Sequence, residues 1–104
     1  MSIPENTPEK ELQVMVWYRE EDWESHKSLF DDAQLLPENF NEWHRRAEEK
    51  VREVEASGDL VVKVTIDTVL FPAWCKENGR KLDAESRTTF AIEAVQKQHF
   101  LSSM

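Results

Sequence analysis

A chain of 104 residues and 12.3 kDa has material for one hydrophobic core, because a second would fall below the size at which a core sustains itself. Its formal net charge of -8, from 21 acidic and 13 basic side chains, argues against partners recognised through positive charge, nucleic-acid phosphates and anionic membranes alike, and serves solubility first. With 39% hydrophobic residues, four tryptophans and five phenylalanines, the 33% of charged side chains describe a solvated surface and not a disordered chain.

The single cysteine, Cys75, allows no internal disulfide, which removes the argument for an oxidised, secreted scaffold. The opening MSIPENTPEKE has neither a basic start nor an apolar stretch. No run elsewhere approaches the roughly 18 apolar residues of a membrane span. These features predict a cytoplasmic protein.

Residues 1–10, with Pro4, Asn6 and Pro8, lack periodicity and predict a loose arm. From Leu12 the sequence LQVMVWY alternates, placing Leu12, Val14, Val16 and Tyr18 on one face of a strand and Gln13, Met15 and Trp17 on the other. Trp23, His26, Leu29, Phe30 and Ala33 then recur at spacings of three and four behind the acidic turn Glu20, Glu21 and Asp22, which predicts a helix from Arg19 to Ala33. Leu35-Leu36-Pro37 interrupts it, and Asn39 with Glu42 has the spacing of a reciprocal helix cap.

The second helix has the clearest pattern. Phe40, Trp43, His44, Ala47, Val51 and Val54 form its stripe, and Gly58 supplies a left-handed stop. Its outer face carries Glu42 before Arg46 and Glu48 before Arg52, pairs that contribute only about 0.2–0.5 kcal/mol each.

Leu60, Val62, Val64 and Ile66 alternate with Val61, Lys63, Thr65 and Asp67 in a second strand. Asp67 or Thr68 can cap a short third helix that holds Pro72 in its first turn. That helix carries Phe71, Trp74 and Cys75 and stops at Asn78-Gly79. Asp83 can cap the last helix, whose stripe is Phe90, Ala91, Ala94 and Val95 and which is expected to run to about His99.

The resulting order, β-α-α-β-α-α, predicts one α/β or α+β domain over residues 11–101, with a two- or three-stranded sheet packed by about four helices and a frayed tail at 102–104. The long connection between the strands suits a parallel pair without excluding an antiparallel one. Two strands alone make a marginal sheet, so a third strand in the arm or tail, or a second subunit, is expected to complete it.

Signs of chemistry are few. Gly58 and Gly79 are the only glycines and both fall at helix stops, which excludes a P-loop and a dinucleotide fingerprint. No nucleophile elbow, kinase or zincin signature is present. Asp22 with His26, and His44 with Glu48, are each four apart and share a helix face, the best metal candidate. The residues three before His26, His44 and His99 are Trp23, Asn41 and Gln96, however, where a di-iron bundle needs Glu. The histidines therefore read first as edges of apolar stripes, Cys75 as a small buried hydrophobe, and the adjacent acids Glu20-Glu21, Asp31-Asp32 and Glu48-Glu49 as surface. No catalytic, cofactor-binding or metal residue is assigned. Among the tryptophans, Trp17 lies on a strand face that a small sheet leaves poorly covered, so Trp17 and its neighbour Met15 are the candidate interface residues.

The stretch from Val62 to Ala91 carries VKVTID, FPAWCKENG, Asp83-Ala84 and Arg87 one turn before Phe90-Ala91. It resembles a segment of small bacterial proteins that are uncharacterised, a family with no assigned function. The resemblance implies a bacterial origin and brings no activity, cofactor or catalytic residue.

The expectation is then a small cytoplasmic module, without catalytic activity or cofactor, that self-associates as a homodimer or binds another protein. One alternative is a small enzyme with a site in an intersubunit cleft built from His26, His44 or Cys75. The other is an acidic mimic of nucleic acid that occupies a basic protein.

Overall fold

The structure, a computed structural model, describes residues 11–102, with side chains as far as Gln98; the expected arm and the residues after Ser102 lie outside it. Strand β1 (Leu12–Trp17) leads through a 3-10 turn (Glu20–Asp22) into α1 (Trp23–Leu29), a second 3-10 turn (Ala33–Leu35) and α2 (Phe40–Ala56). Strand β2 (Leu60–Thr65), α3 (Leu70–Glu77) and α4 (Ala84–Ser102) follow. The fold is a small α+β one, and the two strands pair parallel, with Leu12 opposite Leu60 and Trp17 opposite Thr65.

Polar side chains close the elements. Glu42 N donates to Asn39 Oδ1 at 2.8 Å, the expected start of α2. The Glu42 carboxylate does not complete the reciprocal cap; its Oε2 accepts from Arg45 and Arg46, at 3.0 and 2.9 Å. Of the two expected pairs on that face, Glu42 with Arg46 forms, whereas Glu48 turns to His44 at 3.3 Å and Lys63 at 3.8 Å. Asp67, not Thr68, starts α3: its Oδ1 accepts from Val69 N and Leu70 N, both at 2.7 Å. Asp83 Oδ1 accepts from Ser86 N at 3.0 Å and caps α4.

The first helix is shorter than its pattern predicts. Phe30 turns extended, φ -77° and ψ 136°, and its ring enters the core. Asp31 N donates to Leu82 O and Leu82 N to Asp31 Oδ2, both at 2.8 Å. These tertiary bonds replace the helical ones that Arg19 to Ala33 would have continued, a case of packing overriding local propensity.

Helices cover both faces of the sheet. Val16, Ile66, Phe71, Cys75 and Phe90 belong to the core on one face, which α4 crosses. On the other face α2 brings Trp43 edge-on to Trp17 at 5.0 Å, and Lys63 Nζ lies 4.2 Å over the Trp17 ring. The face holding Trp17 is thus partly covered from within the chain, by the polar stem and aromatic edge of α2 and β2 residues.

Both glycines have positive φ, 99° at Gly58 and 63° at Gly79. At Gly58 the N–H reaches Glu55 O at 3.0 Å and the next N–H, of Asp59, reaches Val54 O at 3.3 Å, the paired closure of a Schellman stop. Gly58→Ala is expected to cost about 1 kcal/mol. A Cβ there meets nothing within 4 Å, so the loss isolates backbone strain. Urea unfolding checks it as a lower midpoint with an unchanged slope.

Candidate functional site

The polar residues that depart furthest from a surface role meet where α1, α4 and the α1–α2 connection converge. Arg87 lies on the same side of α4 as Phe90, Ala91 and Ala94, and it is only 4% exposed. Its Nη1 and Nη2 donate to Asp32 Oδ1 and Oδ2 at 2.8 and 2.9 Å, a bidentate pair that joins α4 to the loop after α1. The guanidinium also sits 4.3 Å from the Phe30 ring centre, where the quadrupole of the ring adds to the attraction. Hydrogen bonding to Arg87 holds the Asp32 carboxyl below its usual range, although partial burial opposes the shift.

His26 is 1% exposed. Its ring stacks on Phe30 at 4.9 Å and tilts against Tyr18 at 5.2 Å. Neither nitrogen, nor Trp23 Nε1, has a hydrogen-bond partner among the described residues. Burial pushes the imidazole below its usual 6.5; Asp22 opposes the shift, and Arg87 and Arg19 reinforce it. A neutral ring is therefore the form that the folded chain accepts.

The candidates read from the sequence are scattered. His44 pairs with Glu48 at 3.3 Å on α2, while the Asp22 carboxylate takes Arg19 Nε at 2.9 Å, so the two helix pairs are engaged separately. The described residues include no group of three His, Cys, Asp or Glu side chains placed to hold a metal ion. Cys75 is fully buried with Sγ 3.7 Å from Lys81 O, and burial raises its thiol pKa, which disfavours a thiolate nucleophile. Asp31 and Asp32, expected at the surface as idle acids, instead make the contacts to Leu82 and Arg87. Trp17 and Met15 are both half-buried.

The backbone of β1 offers a second kind of site. Glu11 O accepts from Leu60 N at 2.9 Å and Trp17 O from Ile66 N at 3.0 Å, and with Gln13 opposite Val61 and Met15 opposite Lys63 the odd-numbered residues of β1 face β2. The N–H and C=O groups of Leu12, Val14 and Val16 then point to the outer edge. Among the described residues no strand pairs with that edge. β1 itself carries no charged side chain, reading LQVMVW, whereas the outward backbone positions of β2 include Lys63, the residue type that blunts an edge.

The comparisons add no relative. No protein-family model matches the chain, and no curated protein or solved structure is significantly similar to it. The resemblance over Val62 to Ala91 therefore contributes nothing to the site. What that stretch does contain is Arg87, and a charge set at i, i+3, i+4 and i+7 with Phe90, Ala91 and Ala94 was a legible signal that a carboxylate must meet it inside. The partner, Asp32, had no such signal.

Two outcomes test this centre. Asp32→Ala, which leaves Arg87 buried without its carboxylate, is expected to lose about 3 kcal/mol, whereas Asp32→Leu combined with Arg87→Met loses less than that single change; urea unfolding of the variants decides. In the unfolded chain His26 titrates near 6.5 and in the folded chain lower, so the unfolded state takes the proton first. The stability is complete above about pH 6.5 and declines as pH falls toward the folded value. Thermal unfolding between pH 7.5 and about 5 should show this slope, and His26→Leu should flatten it.

Proposed function

We propose that the chain is a cytoplasmic, non-catalytic interaction module that pairs with a second copy of itself through the outer edge of β1. The observation that carries this reading is the uncharged edge itself, with the backbone groups of Leu12, Val14 and Val16 unpaired among the described residues. An antiparallel β1–β1′ pair about a two-fold axis satisfies these groups and makes one four-stranded sheet from two marginal ones. Leu12, 52% exposed on β1 itself, gains cover in such a sheet. The buried positions of His26 and Cys75 favour this reading over a catalytic one, because neither can meet a substrate from solution. None of the described helices is long and apolar enough to cross a membrane, which is compatible with the cytoplasm.

Light scattering behind a sizing column is expected to give a mass near twice 12.3 kDa. Met15→Glu faces Lys63 within the chain and so suits the monomer, while in the proposed pair, with the two-fold axis at residue 15, it brings two carboxylates together. That variant should keep its circular dichroism and shift to the monomer mass. A wild-type chain that stays monomeric at every concentration would sink the proposal.

A further inference from the structure

Between α3 and α4 lies an open groove of about 350 Å³. Leu70, Ala73 and Ala94 give it an apolar lining, and Trp74 and Phe90 meet edge to face in it with ring centres 5.6 Å apart. Leu70 is 62% exposed, a cost the sequence carries in the lining of the groove and not elsewhere on α3. Two carboxylates, of Glu77 and Glu93, also line it. Neither makes an ion pair among the described residues.

Glu93 is held in place: its Oε1 accepts from the Trp74 indole Nε1 at 3.1 Å. The indole thus fixes one oxygen and leaves the other, Oε2, as an oriented acceptor beside an aromatic wall. Lys97, one turn further along α4, also lines the groove, and the Arg80 guanidinium lies 5.5 Å from the Trp74 ring centre and pairs with Glu85, so within the lining itself the two carboxylates outnumber one ammonium. Acidic side chains next to two aromatic faces match a cation with an aliphatic stem, because the stem packs on the rings while the charge meets the carboxylates.

We propose that this groove docks a basic amphipathic segment of a partner protein, with an aliphatic side chain on the Leu70, Ala73 and Ala94 lining and a lysine or arginine reaching Glu93 Oε2 and Glu77. The net charge of -8 favours approach of such a segment. The groove shares no lining residue with β1.

The probe is a peptide of leucine and lysine at helical spacing, titrated into the full ¹⁵N-labelled chain beside a peptide in which glutamine replaces every lysine. The lysine peptide is expected to shift the Trp74 indole signal and the amides of Glu77, Glu93 and Ala94, and to bind more weakly as salt rises. Glu77→Gln and Glu93→Gln should each weaken it about fivefold. Glutamine at position 93 retains an acceptor for the indole, so the folded spectrum should otherwise persist, and Lys97→Gln should tighten binding. Equal binding of the two peptides would overturn the proposal, as would shifts confined to other acidic surfaces. Shifts of the groove signals with protein concentration alone would assign it to a second copy and overturn it as well.

Discussion

A guanidinium that is 4% exposed is tolerable only because a carboxylate meets it with both oxygens and an aromatic ring lies against it. That triple contact, of Arg87 with Asp32 and Phe30, is what the arrangement of the helices hangs on. It joins α4 to a loop more than fifty residues earlier in the chain. Asp31 reinforces the joint through Leu82, just before α4 starts. With its first turns fastened in this way, α4 crosses the sheet on the face that holds Val16 and Ile66, and the core closes around Phe71 and Cys75. Because an unmatched buried charge costs several kcal/mol, the joint discriminates strongly against any placement of α4 that separates the two groups.

The same constraint explains how so small a sheet persists. Six residue pairs from Leu12↔Leu60 to Trp17↔Thr65 would not hold by backbone hydrogen bonding alone, since two-stranded sheets are marginal in water. Here each face is packed by a helix, α4 on one and α2 on the other. Tyr18, at the end of β1, touches Trp23, His26, Phe30 and Trp43. One residue thereby ties the strand to both halves of the long connection. The contribution of these rings is mostly buried area, with about 0.5–1.5 kcal/mol more for each well-placed pair.

Much of this was readable in the residues themselves, because the signals were local. The stripe from Phe40 to Val54, the cap at Asn39 and the stop at Gly58 all act within a turn or two, and α2 follows them. The alternation in LQVMVW and LVVKVT gave both strands for the same reason. What was hidden depended on distant residues. The early end of α1 is set by Leu82, and the role of Asp32 by Arg87, neither of which leaves a mark in its neighbour's sequence. Trp17 was expected to face a poorly covered surface because a strand pattern shows which face a residue takes, not which helix later lies on it. His26 read as the edge of a stripe; only the packing reveals a ring fully enclosed by Tyr18 and Phe30.

The parallel pairing also fixes an order of events when the chain is made. Leu12 meets Leu60, so β1 leaves the ribosome 48 residues ahead of its partner strand. At about 5–20 residues per second this interval lasts roughly 2–10 s. Throughout it the nascent chain presents an uncharged strand of hydrophobic and aromatic side chains with nothing to pair against. Trp43 and His44, whose rings pack against Trp17 in the folded chain, lie in α2 just ahead of β2 and emerge only in the last part of that interval. The order of the elements thus leaves β1 without its partner strand, and for most of that time without the α2 rings that pack on it, until nearly two thirds of the chain has been made.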